Sequence, residues 1–210
     1  MKSIFLATVL TCIAGFISGQ HKDTYPASIK AYQKMYVDSH AVVKGKDKKH
    51  FRFFPVNKAY HVTGYFERII DTAGFTMNTS AGTQKFYYKY GRLDFMIDGK
   101  EYLLFVYQGK DLMQSEQYKD YLFVPFTDAT TGNESYGSGR YLEFYKTDIV
   151  YNPPPGPGGQ GTGGTVQLDF NKAYNPYCAY ATGYKCPIPP RENRLNAAIR
   201  AGEMNFGKAH

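Results

Sequence analysis

Beyond its first twenty residues the chain has no apolar run long enough for a helix to cross a bilayer, which takes about twenty residues. No transmembrane segment is therefore expected in the mature protein. The usual catalytic signatures are missing too. There is no Walker-type Gly-Lys-Ser/Thr loop, no dinucleotide-binding glycine pattern after a strand and no His-Glu-x-x-His. Tyr136-Gly137-Ser138-Gly139-Arg140 approaches a nucleophile elbow, but it lacks the glycine two before the serine and leads into a strand rather than a helix. Tryptophan is absent, and cysteine is scarce, with three residues. That leaves too few soft ligands for a structural zinc, which usually takes four. No cofactor and no metal are expected.

Tyrosine and phenylalanine are plentiful instead, twenty and fifteen respectively, and both favour strands. The formal charge of +7 raises nucleic acid as a partner. The basic residues are scattered, however, and the one dense run, Lys44 to Lys49, reads as a solvated loop, so no nucleic acid is expected.

Residues 1–20 have the layout of an export signal: Lys2, an uncharged apolar stretch from Ile4 to Ile17, then Ser18-Gly19-Gln20. The mature chain would begin near Gln20 or His21 and be secreted or periplasmic. Lipidation at Cys12 is the rival, but Val9-Leu10-Thr11 is a poor approach to a lipidated cysteine. Cleavage leaves Cys178 and Cys186, and a pair of cysteines in an exported protein suggests a disulfide.

One domain is expected over residues 51–210, preceded over 21–50 by a helix and the basic loop. Tyr25 to Ser39 carries Ile29, Tyr32, Gln33, Tyr36 and Val37 at helical spacing, with Thr24 as N-cap and Pro26 in the first turn. Strands follow. Phe51 to Phe54 is one candidate. Tyr60 to Ile70 alternates, placing Val62, Gly64 and Phe66 on one face and His61 on the polar one. Asp98-Gly99 predicts a tight hairpin pairing Phe95 with Tyr102 and Leu93 with Leu104. Phe86 to Tyr90 is a separate candidate strand before it. Asp111 to Asp120 reads as a short helix or turn. Tyr121 to Thr127 is a strand whose Pro125 argues for an edge or bulge, and Arg140 to Tyr145 and Thr165 to Phe170 are two more. Asn152 to Gly164, nearly all Pro and Gly, reads as a loop within the domain. The fold class is mainly β: an antiparallel barrel or sandwich-like domain with an N-terminal helix and a long C-terminal loop.

Two regions carry the polar chemistry. Asp128 to Tyr136 is an oxygen-rich hairpin tip that could hold a hard cation, or be a turn whose Asp, Thr and Asn bond their own backbone. The C-terminal loop offers Asp169, Asn171, Tyr174, Asn175, Glu192, Asn193 and Arg194. Arg140 or Arg194 could clamp a carboxylate or phosphate, and Asp169 and Glu192 could form an acid/base pair. The same side chains could equally satisfy the backbone of a coil without ladder partners.

Several stretches here resemble a bacterial family known as domain of unknown function 1684. They are Phe53-Phe54-Pro55-Val56, Gly91-Arg92-Leu93-Asp94-Phe95 with Asp98-Gly99, and Phe126 through Tyr141. The closest are Leu168 through Pro176, Cys178-Ala179, Cys186 through Pro190, Glu192 through Leu195 and Ala201-Gly202-Glu203. The resemblance runs from about Lys48 to Glu203. It implies relatives but no activity, cofactor or catalytic residue. It also makes Leu195 to Ala201 look like a final strand, where Ala197-Ala198 alone suggests helix. The chain departs from the family in its Pro/Gly insertion and its tail beyond Glu203.

The expected function is binding of a small polar or carbohydrate-like ligand, or of a partner, where the hairpin with Asp128, Thr130, Tyr136 and Arg140 meets the C-terminal loop. Exposed tyrosines beside amides and an arginine suit that. The alternatives are a hydrolase using Asp169 and Glu192, and a structural cell-envelope protein without a ligand.

Overall fold

The Asp98-Gly99 turn organises the sheet. Both residues take positive φ, 49° and 73°, which a two-residue hairpin of this kind requires. They join β3 (Gln84–Ile97) to β4 (Lys100–Gly109), with Phe95 opposite Tyr102 and Leu93 opposite Leu104 as the sequence predicts. β3 is one strand of fourteen residues, so Phe86 to Tyr90 is its first half rather than a separate strand. The ladder slips between Lys89 and Gly91, a bulge that bends it. Gly91 is required there because a Cβ would stand 2.3 Å from the Phe66 ring.

This computed structural model describes residues 23–153 and 162–208. The expected signal segment at 1–20 and residues 154–161 of the Pro/Gly loop lie outside the described residues. The remaining strands are β1 (His61–Arg68), β2 (Phe75–Asn78), β5 (Tyr121–Phe126), β6 (Arg140–Tyr145), β7 (Val150–Tyr151) and β8 (Gly163–Asp169). They form one antiparallel sheet in the order β6-β5-β4-β3-β1-β8-β7, with β2 added beside the first half of β3. The sheet curls into a half-barrel, and α1 (Tyr25–Ser39) packs near the end of β8. A second short helix, α2 (Lys110–Met113), follows β4. No helix among the described residues is long and apolar enough to cross a membrane.

Alternation divides β3, β4, β5 and β6 between two cores. Leu122, Val124, Phe126, Leu142 and Phe144 point into the curl with Phe66, Leu93, Leu104 and Phe170. Phe123 and Tyr141 point to the other face, where they join Met77, Tyr87 and Tyr107. The open side of the curl is filled by Leu195, Ile199 and Ala201.

Several local expectations are corrected. Leu195 to Ala201 is neither strand nor helix; it is a coil that inserts its apolar side chains into the core. Phe51 to Phe54 forms only an isolated bridge, Phe53 to Glu203. The basic run is a 3-10 helix over Gly45–His50. Thr24 makes no side-chain cap; Asp23 Oδ1 accepts from the Tyr25 N–H instead. β5 is interior to the sheet rather than an edge, although it pairs with β4 only at Tyr107 and Phe123. Where β4 and β5 part, Asn193 inserts. Its Oδ1 accepts from Phe105 N (2.8 Å), and its Nδ2 donates to the carbonyls of Phe105 (2.9 Å) and Pro125 (2.8 Å). The side chain replaces a rung of ladder where Pro125 has no N–H to offer.

Candidate functional site

The C-terminal coil and the Arg140 hairpin do meet, and their contact is bonded internally, with Arg140 Nε alone of the guanidinium nitrogens left without a partner. Arg140 is 1% exposed. Its guanidinium donates to the carbonyls of Ile199 (2.8 Å), Ala201 and Glu203 (3.2 Å) and pairs with Asp128 Oδ2 at 3.0 Å. Burial draws the guanidinium below its ordinary range, and Asp128 and Glu203 oppose that. Asp128 Oδ1 accepts from Thr130 N, Thr130 Oγ1 and Thr131 Oγ1, so the tip is the self-bonded turn that the sequence also allowed. Tyr136 donates to the Cys178 carbonyl at 3.1 Å. These groups lock the coil to the hairpin, and the Arg140 and Asp128 charges face each other rather than solvent.

The other predicted residues separate. Asn171 is buried and bonds both backbone groups of Asn57. It also donates to the Tyr25 hydroxyl, which in turn donates to Asp169 Oδ1 at 2.8 Å and so ties α1 to the end of β8. Glu192 accepts from Tyr107 Oη (2.6 Å) and Lys89 Nζ (2.9 Å). Asp169 and Glu192 line different depressions, one with Glu143 and Lys172, the other with Asp71 and Lys89. A glycosidase pair must share one site at about 5 to 9.5 Å. Asn193 is the sheet wedge, and the Arg194 side chain is exposed, its backbone bridging to Thr127. Cys178 and Cys186 form the expected disulfide.

Tyr174 and Asn175 lead elsewhere, to a cleft of about 510 Å³. Its floor is the outward face of β5 and β6: Tyr121, Phe123, Tyr141 and Glu143. One wall is the last turns of α1, with Tyr32, Tyr36 and His40. The opposite wall is the coil from Tyr174 to Tyr177 and the disulfide loop, with Tyr184 and Lys185. Such a concave, mostly aromatic surface with a few placed polar groups is the usual form of a small-molecule site. A broader depression over Thr63, Tyr65, Asp94 and Met96 is also present. Those four belong to the outward faces of β1 and β3.

Two groups on the cleft wall are buried and unpaired. His40 is 4% exposed; its Nδ1 accepts from Val43 N at 3.0 Å, so Nε2 carries the proton, and Nε2 has no partner. Burial, with Lys44 and Lys48 nearby, lowers its pKa to about 4, so the ring is a neutral donor at pH 7. Asn175 is fully buried; its Nδ2 donates to Met204 O at 2.8 Å while Oδ1 has no partner. Buried polar groups are otherwise nearly always paired. At the floor, Tyr121 and Tyr174 both donate to Glu143 Oε2, at 2.7 and 2.6 Å. Burial and the Glu143 charge hold both phenols well above their ordinary range, so they remain donors. Behind the wall, Glu203 is buried and accepts from Tyr180, Tyr36 and the Asn175 N–H. Burial pushes its pKa up to about 7, and those donors oppose the shift.

His40, Glu143 and the α1 tyrosines escaped the sequence reading. Glu143 had a visible signal: in β6 it alternates with Leu142 and Phe144, which places it beside Tyr141 on the face opposite the core. His40 had none, because its burial depends on the coil rings of Tyr177 and Tyr180, 5.6 and 4.6 Å away between centroids.

No curated protein matches the chain. Among solved structures it is similar to the solution NMR structure of the uncharacterized protein from gene locus rrnAC0354 of Haloarcula marismortui. The two share 27% identity over 86% of this chain and 94% of the other, with a TM-score of 0.60. The family model described as "Protein of unknown function (DUF1684)" matches residues 47–204, about three quarters of the sequence, and the chain therefore belongs to that family.

Proposed function

We propose that this protein binds a small polar, carbohydrate-like ligand in the tyrosine-lined cleft between α1, β5–β6 and the C-terminal coil. The observation that carries this reading is that two residues lining the cleft, His40 and Asn175, each keep a buried, unpaired polar atom, the Nε2–H donor and the Oδ1 acceptor; the other such atoms among the described residues are Gln33 Nε2 and Arg140 Nε. An unsatisfied buried polar group costs about 1 to 3 kcal/mol, and a ligand hydroxyl, which both donates and accepts, would recover part of that for each. Tyrosine rings supply flat apolar area against which a sugar ring can lie. The Asp128–Arg140 hairpin then serves the site indirectly, by anchoring the coil that forms one wall.

The test is a saccharide and polyol panel screened by thermal shift, with hits measured by isothermal titration calorimetry on the disulfide-bonded chain. Hits should lose affinity in Tyr174→Phe and His40→Ala and keep it in Thr63→Ala, in the broader depression. Hits indifferent to the cleft variants, or no hits, would overturn the reading. The Cys178–Cys186 disulfide supports an exported protein, since such bonds persist in oxidising compartments. Export is tested by the mass of the protein recovered from its native host, which should begin near Gln20 or His21.

A further inference from the structure

Among the described residues Glu143, a cleft residue, makes no ion pair, although Lys172 lines a neighbouring depression with it. Surface carboxylates such as Asp38, Asp47 and Glu134 each lie against a lysine or arginine. Glu143 receives two tyrosine hydroxyls, both on Oε2. Among the described residues no hydrogen bond reaches Oε1 and no ion pair reaches the carboxylate. The two phenols fix its orientation and leave one oxygen turned to other partners.

The surroundings favour positive charge. Tyr32 of α1 lines the same cleft, and its hydroxyl is pushed up to about 12, first by burial and then by the charges of Glu143, Asp169 and Glu203. Three acids therefore converge on this end. The Lys172 ammonium already lies 5.4 Å from the Tyr32 ring centre, so that ring can take a cation on its face. Two lysines, Lys85 and Lys185, also line the cleft, and neither forms an ion pair with Glu143 among the described residues. Lys85 is at the start of β3, three strands from Glu143, which is about 14 Å at the usual strand spacing.

We propose that the ligand is a small organic ammonium ion whose charge sits at Glu143 Oε1, with its carbon skeleton against Tyr32, Tyr121 and Tyr174. This rests on the reading of the cleft as a ligand site and names the ligand class. A neutral polyol donates one neutral hydrogen bond to Glu143. A primary ammonium gains a charge-assisted hydrogen bond, roughly twice as strong, while a quaternary ammonium gains the attraction of the carboxylate and of the ring faces. His40 and Asn175 then serve hydroxyl groups on the same molecule.

The experiment titrates choline and glucosamine into the disulfide-bonded chain at low salt, beside their uncharged counterparts 3,3-dimethylbutanol and glucose. Each cation is expected to bind at least about tenfold more tightly than its counterpart. Glu143→Gln should remove that advantage, with folding checked by the unchanged Tm of this exposed position. Lys172→Met should leave cation binding unchanged or tighter. Counterparts that bind equally, an advantage that survives Glu143→Gln, or binding lost in Lys172→Met would each overturn the ammonium assignment. Glucose and glucosamine bound equally, and both weakened by Tyr174→Phe, would end this inference and leave the cleft as a ligand site. No binding by any compound, the saccharide panel included, would end both.

Discussion

Replacing Arg140 with methionine should destabilise the protein severely and do so without any ligand present. The guanidinium is enclosed and donates to three backbone carbonyls of the C-terminal coil while pairing with Asp128 at 3.0 Å. Methionine fills much of the volume and supplies no donor. Breaking a buried ion pair by removing one member costs about 3 to 5 kcal/mol. Asp128 keeps donors from Thr130, Thr131 and Ile199 N, which moderates its share. The carbonyls of Ile199, Ala201 and Glu203 lose the arginine donors, at about 1 kcal/mol or more each where water cannot reach. With the pair's share reduced to about 1 to 3 kcal/mol and about 3 kcal/mol from the carbonyls, the sum is about 4 to 6 kcal/mol, comparable with the whole stability of a marginal domain. Urea unfolding followed by circular dichroism would measure it, and Asp128→Asn with Arg140→Met in a double-mutant cycle would isolate the pair, with an expected coupling of about 2 kcal/mol. A loss below about 1 kcal/mol for Arg140→Met would refute the claim that this side chain holds the coil.

Three further outcomes can be checked. Glu203 has a folded-state pKa of about 7 against 4.5, so its contribution is fully present below pH 4.5 and is lost as pH rises towards 7, by about 3 kcal/mol. His40, lowered to about 4, acts oppositely and loses stability as pH falls from 6.5. The difference between wild-type and Glu203→Gln melting profiles from pH 4 to 8 should isolate the first slope, and parallel profiles would contradict it. Asn193→Ala leaves Phe105 N–H, Phe105 O and Pro125 O without their partner and should cost about 3 kcal/mol; faster hydrogen exchange at the Phe105 amide would localise the damage, and unchanged exchange would count against the wedge. Opening the Cys178–Cys186 loop by a double serine substitution should cost about 2.5 kcal/mol in denaturant unfolding, from loop-closure entropy alone.

The strands and the central hairpin were legible because their signals are local. Asp98-Gly99 needs positive φ, and the alternation around it allows one register. Glu143 was legible in principle by the same period of two. Leu195 to Ala201 misled, because its conformation follows from Arg140 and Asp128 supplying partners to its backbone from sixty to seventy residues away. Thr24 misled more simply, since Asp23 was the nearer acceptor.

By itself the sequence determined the β architecture, the hairpin register, the first helix and the pairing of its last two cysteines, all properties of short spacing and residue type. Tertiary structure alone decided which polar residues were spent on the fold and which were left over. Asp128, Asn171, Asn193 and the two terminal nitrogens of Arg140 found partners far along the chain, whereas His40 Nε2, Asn175 Oδ1, Glu143 Oε1 and Arg140 Nε did not. A side chain's capacity to bond is written in its chemistry, but whether that capacity is already used depends on what folding brings within about 3 Å of it.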